Sequence, residues 1–140
     1  MRALGIDFGE RRIGVAISDP EGSYALPKTV LERRSDRQAI DELAALARAE
    51  SIELLVVGEP RRPADGAATS QGERARRFGR RLAAAAGLPV EFVDEALTSH
   101  AAAERIATAG GRGRRPPMLD AVAAQLLLQE ALDRRRSESR

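Results

Sequence analysis

At 140 residues and 15.1 kDa the chain has the length of one ordinary domain, and a core can form at this size without disulfide or metal staples. There is no cysteine, which excludes disulfide scaffolds, thiolate zinc sites and cysteine nucleophiles, and 3% aromatic content argues against a base-stacking platform. Of 23 basic residues only Lys28 is a lysine; against 21 acids the net charge is +2, so a pI near 9.9 does not mean a strongly cationic surface. No apolar run reaches membrane-spanning length and no signal peptide opens the chain, so a cytoplasmic protein with no membrane partner is expected.

Ala3 to Asp7 reads as a short buried strand, Gly9 to Arg12 as a turn, and Ile13 to Ser18 as a second strand closed by Asp19-Pro20-Glu21-Gly22. Tyr24 to Leu31 can make a third, giving an antiparallel meander. Gly5, Gly9 and Gly14 do not form a dinucleotide fingerprint, because a strand follows where that motif needs a helix. The period then becomes helical: Ser35 with Gln38 is a capping box, and Ile40, Leu43, Ala44 and Ala47 share one face. Ile52 to Val57 is a buried-type strand ending at Gly58. After a loop with Pro60, Pro63 and Gly66, Ser70 and Glu73 cap a second helix that carries Phe78 and Leu82 and stops at Gly87. Val90 to Val93 is a fifth strand, ending at Asp94-Glu95. A short helix from Thr98 or Ser99 to Gly110-Gly111 precedes a last helix, opened by Pro116 or Pro117, with Leu119, Val122, Ala123, Leu126 and Leu127 on its buried face. Residues 134–140 are expected to fray.

The order βββαβαβαα predicts an α/β fold over residues 1–140, a single domain with a mixed five-stranded sheet, helices on both faces and three layers. Ligands in such sheets gather at the carboxyl ends of the strands. Asp7 ends the first strand, Glu95 follows the fifth, and Asp120 stands in the first turn of the last helix. An acid inside an apolar run, as Asp7 is, costs free energy to bury unless paired or bound to a metal. Asp120 sits among small apolar residues at a helix N-terminus that favours the ionised form. Separated carboxylates with no cysteine and one histidine suit hard cations, Mg²⁺ or Mn²⁺, and two such ions support phosphodiester cleavage. The plain alternative is that Asp7 makes a turn, Asp94 caps and Asp120 is an ordinary N-terminal helix acid. Which of Asp94 and Glu95 turns toward the site stays open.

Gly5 to Pro20, reading GIDFGERRIGVAISDP, closely resembles the opening of the YqgF or RuvX family of candidate Holliday-junction resolvases and precursor 16S ribosomal RNA nucleases. Val56-Val57-Gly58-Glu59-Pro60, the Asp65-Gly66 turn, Asp94 to Ser99 and Asp120 to Ala124 resemble the family's later blocks in order. The resemblance runs from Leu4 to Leu132. It implies a ribonuclease H-like fold and a metal-dependent nuclease site on Asp7, Glu95 and Asp120. Ala96 stands where the family usually has arginine, and Glu59 where it often has leucine. Glu59 adds an acid at a strand end that could face the cleft.

Arg12 matches a basic position of the family and lies where it can meet a phosphate backbone. Arg112, Arg114 and Arg115 form the densest cationic loop, upstream of Asp120, and are the other candidates for nucleic-acid contact. Arg74, Arg76, Arg77, Arg80 and Arg81 cover several faces of one helix and read as a solvated face. His100 reads as a surface residue at a helix start. The resemblance favours processing of the 5′ end of precursor 16S rRNA. Junction resolution on branched DNA, which would need a homodimer, and a catalytically weak nucleic-acid-binding or transcription-associated factor are the alternatives. A phosphotransferase is a further alternative, since Gly5 to Gly9 also resembles the first phosphate loop of the actin and sugar-kinase group, but 140 residues cannot supply its two lobes.

Overall fold

The computed structural model describes residues 1–60, 67–95 and 118–139. Strands β1 (Ala3–Phe8), β2 (Arg12–Ser18) and β3 (Ala25–Glu32) form the expected antiparallel meander. Helix α1 (Asp36–Ala49), strand β4 (Leu54–Glu59), helix α2 (Ser70–Ala86) and strand β5 (Val90–Asp94) follow, and helix α3 (Leu119–Glu138) comes last. The sheet order is β3-β2-β1-β4-β5, with β1, β4 and β5 parallel, so the sheet is mixed as expected. The short helix expected between Thr98 and Gly111, and Pro63, Gly66, Pro116 and Pro117, lie outside the described residues.

Successive strand residues point to opposite faces. Leu4, Ile6, Ile13, Val15, Leu55 and Val57 enter one core with residues of α1 and α2, among them Leu43 and Phe78. The other parity, Ala3, Ala16, Leu54, Val56 and Val93, packs against Ala124, Leu127, Leu128 and Ala131 of α3. Three layers result. The strands meet α3 through glycines: a Cβ on Gly5 would stand 2.7 Å from the Leu128 Cβ, and one on Gly14 only 1.8 Å from the Asp120 carbonyl oxygen. The backbone of α3 therefore rests directly on β1 and β2.

Several boundaries and faces differ from expectation. Ala121, Ala124, Leu128, Ala131 and Leu132 join Leu119, Ala123 and Leu127 on the buried side of α3, while Val122 and Leu126 are half-buried. The closest contacts of Gly5 and Gly14 are the Leu128 side chain and the backbone of Asp120, so burial on this face follows backbone approach and not side-chain size. Strand β4 starts at Leu54 because its ladder with β1 begins at Ala3↔Leu54, and it runs to Glu59 because β5 pairs that far. Helix α3 continues through Glu138 where fraying from Arg134 was expected, and Arg135 Nη2 donates to Glu91 Oε1 at 2.6 Å.

The cap of α2 is Thr69, one residue before the expected Ser70. Thr69 is extended (φ −117°, ψ 163°), and its hydroxyl accepts from the Gly72 N–H at 2.9 Å and donates to the Pro60 carbonyl at 2.9 Å. One side chain thus ties the end of β4 to the start of α2. The capping box of α1 forms as expected, and Gly87 closes α2 with φ +68°.

Candidate active site

The carboxyl ends of the three parallel strands lie on one edge of the sheet, and a cavity of about 550 Å³ opens there. Asp7 shares the parity of Ala3 and Gly5 and so faces the α3 side. Glu95 lies just beyond the end of β5 with its side chain against Gly58, while Asp94 is the last residue of the strand. Asp120 arrives from the first turn of α3, whose backbone sits on Gly14. Asp7, Glu95 and Asp120 all line the cavity, and Asp94 does not. Asp7 and Glu95 are 5% and 7% exposed, and the Asp120 side chain 15%. Gly58 makes room for Glu95: a Cβ there would lie 2.3 Å from Oε1.

Phe8, of opposite parity to Asp7, packs on Phe78 with ring centroids 4.6 Å apart, and the Arg33 guanidinium lies 5.4 Å from the Phe8 ring centre. Such a ring pair contributes about 0.5–1.5 kcal/mol beyond its buried area. It anchors the end of β1 from one face while the carboxylate serves the other.

Cations rim the cavity. Arg12, the first residue of β2, has the parity of Gly14, and its Nε donates to Asp120 Oδ2 at 3.0 Å. Arg11 and, from α2, Gln71 and Arg74 also line it. Arg74 is exposed, as expected for a solvated face, but it also lines the cavity, and its Nη2 donates to Glu10 Oε1 at 2.5 Å across the rim. Arg76 and Arg81 are engaged as well, with Glu59 at 2.6 Å and Asp36 at 3.3 Å. The position of Arg74 was implicit in the topology, since a helix that follows a parallel strand begins at that strand's carboxyl end. Glu59 does not face the cleft. It has the parity of Val57, is buried, and pairs with Arg76, whose guanidinium lies 4.6 Å from the Phe92 ring centre. Ala96, His100, Asp65-Gly66, Arg112, Arg114 and Arg115 lie outside the described residues.

The hydrogen bond from Arg74, then its charge, hold the Glu10 carboxyl below the ordinary carboxylate range. Because the folded value is the lower one, the contact favours the folded state above the ordinary range and is lost as pH falls through the lowered value. Arg74→Ala should return Glu10 toward its ordinary titration, followed by carboxyl ¹³C NMR; an unmoved Glu10 would refute the coupling.

Three carboxylates offer hard oxygen donors and fit Mg²⁺ or Mn²⁺ by donor chemistry. Among the described residues, no group of three or more acids or histidines is gathered closely enough to hold one ion. The acids share a cavity without forming a finished cage.

A family model described as RuvX: Holliday junction resolvase matches residues 1–134. A candidate pre-16S rRNA nuclease of Syntrophus aciditrophicus is 43% identical over 134 residues, covering 95% of this chain and 89% of that protein. One of Moorella thermoacetica is 44% identical over 135 residues, covering 96% of each. Among solved structures, Thermus thermophilus RuvC in complex with a Holliday junction substrate matches with TM-score 0.61 and 18% identity, covering 98% of this chain and 96% of that one. At that identity the likeness speaks for the fold, which is ribonuclease H-like as expected. The match across residues 1–134, and relatives above 40% identical along most of their length, show that the chain belongs to the RuvX family of Holliday junction resolvases, nucleases that hydrolyse phosphodiester bonds.

Proposed function

We propose that this chain is a divalent-metal-dependent nuclease that processes the 5′ end of precursor 16S rRNA, with Asp7, Glu95 and Asp120 as its cation-binding carboxylates. The observation that carries the reading is that these acids, from three separate parts of the chain, line one cavity rimmed by arginines at the carboxyl edge of the sheet. The chemistry that Mg²⁺ or Mn²⁺, in a pair, supplies there is activation of a water and stabilisation of the leaving oxygen. The protein's own part is to hold and orient the phosphate. In this reading Arg11, Arg12 and Arg74, which line the cavity, donate to its oxygens, a task for which the guanidinium fork is suited. Arg112, Arg114 and Arg115, just before Asp120 in the sequence, are the further residues assigned to nucleic-acid contact in this reading.

Support for rRNA as substrate comes from the names of relatives about 40% identical. Support for junction resolution comes from the family description, and that reaction requires two sites related by symmetry, hence a homodimer. A 5′-labelled precursor 16S leader and a four-way DNA junction, each incubated with the protein in Mg²⁺ and in Mn²⁺, separate the two. Cutting of the RNA at a defined 5′ position with the junction left whole is expected. Paired symmetric nicks in the junction alone would replace rRNA processing by resolution. Tight binding of either nucleic acid with no cutting in either metal would overturn the nuclease reading and leave a binding factor.

A further inference from the structure

We propose that Arg12 is a displaceable counter-cation of Asp120, which holds that carboxylate until a nucleic-acid phosphate draws the arginine away, so that the cavity's affinity for divalent cations rises when substrate arrives. The inference rests on the reading of the cavity as a metal site and adds a device that couples its two ligands.

The two members of the pair differ in freedom. Asp120 sits in the first turn of α3, where its own carbonyl is seated on Gly14 with no room for even a methyl group between. Its backbone therefore has nowhere to retreat, and its side chain is short and only 15% exposed. Arg12 has a long side chain, 50% exposed, at the very start of β2 beside the β1–β2 turn. The arginine is therefore the partner that moves.

The contact itself leaves Arg12 equipped for a second ligand. The bond to Asp120 uses Nε, so the two terminal nitrogens keep their donors for a phosphate, which guanidinium binds in a forked geometry. A half-exposed ion pair of this kind is weak, and either a doubly charged cation at Asp120 or a phosphate at Arg12 can outcompete it. By linkage, each of those ligands then strengthens the binding of the other. Without nucleic acid, a guanidinium on Asp120 keeps the acid neutralised in a cavity that also holds Asp7 and Glu95.

A purely structural salt bridge, tying β2 to α3, predicts the opposite sign. Removing it would loosen the first turn of α3 and weaken cation binding. A displaceable counter-cation predicts that removal strengthens it. Mn²⁺ binding to the protein alone, read from the loss of the free-ion electron paramagnetic resonance signal, distinguishes the two without any cleavage. Arg12→Ala should bind Mn²⁺ roughly two- to fivefold tighter than wild type. Arg12→Lys, which keeps the charge, should stay near wild type, and so should Arg11→Ala, which empties another position of the same rim. In EDTA, Arg12→Ala should bind an RNA hairpin more weakly, with the slope of log affinity against log salt reduced by about one.

Unchanged or weaker Mn²⁺ binding by Arg12→Ala, or an equal gain in Arg11→Ala, would overturn the proposal. An unchanged salt slope would remove its phosphate half. If wild type and all variants fail to bind Mn²⁺ while remaining folded by circular dichroism, the metal reading of the cavity falls, and the counter-cation role with it.

Discussion

Asp7→Asn protein is expected to keep the wild-type fold and to lose metal-dependent cleavage by well over about a hundredfold. Perturbing a group that merely orients a metal ligand typically costs ten- to a hundredfold, and a ligand that is itself changed should cost more. Asp7 is 5% exposed inside β1, between Ile6 and Phe8, whose side chains enter the opposite core. Asparagine has nearly the same shape, so neither that packing nor the ladder to Gly14 is disturbed. It also removes one negative charge from a cavity shared with Glu95 and Asp120. The protein should therefore stay folded while cleavage disappears. Both are measured on one preparation, by circular dichroism and by the labelled-RNA assay. Retained cleavage at the wild-type rate would remove Asp7 from the site.

Gly14→Ala is expected to be the most damaging single-methyl change in the described chain. The added carbon would lie 1.8 Å from the Asp120 carbonyl oxygen, 2.2 Å from its carbonyl carbon and 3.0 Å from the Ala121 nitrogen. All three are backbone atoms, so no side-chain rotation relieves the overlap, and α3 must lift from β2. Overpacking costs typically about 1–3 kcal/mol and more where the neighbours are rigid, so a loss of about 3 kcal/mol or more is expected from the denaturant midpoint. Because the carbon that moves is that of Asp120 itself, cleavage should fall further than the folded fraction at any temperature. Gly5→Ala is the comparison: its nearest atom is the Leu128 Cβ at 2.7 Å, on the same helix but two turns from the acid. It should lose stability with less effect on the rate per folded molecule. Wild-type stability in Gly14→Ala would refute the direct seating of the helix.

Much of this arrangement was legible in the sequence. Gly, Pro and Asp punctuate the first three strands, and the acid inside Leu4-Gly5-Ile6-Asp7 advertises a cost that needs a reason. Asp94 and Glu95 could not be separated because β5 ends between them, so alternation does not carry over to Glu95, and its contact with Gly58 is visible only in the fold. The cap of α2 was misplaced because Thr69 and Ser70 are both good capping residues, and only backbone geometry distinguishes them. The buried face of α3 was misjudged because it is set by where the helix backbone meets Gly5 and Gly14, which leaves Val122 and Leu126 on the flank. Arg74 was lost among five arginines with no helical period. The bond from Arg12 to Asp120 spans 108 residues of sequence, and nothing local announces it.

The Thr69 hydroxyl, held between the Pro60 carbonyl and the Gly72 amide, acts as a clasp between the end of β4 and the start of α2. Pro60 on one side of that clasp and Gln71 and Arg74 on the other all line the cavity. One side chain therefore helps to set the spacing between the strand-borne and helix-borne parts of the cavity wall, and the width of the cleft on that side depends on a hydrogen-bonded threonine as well as on packing.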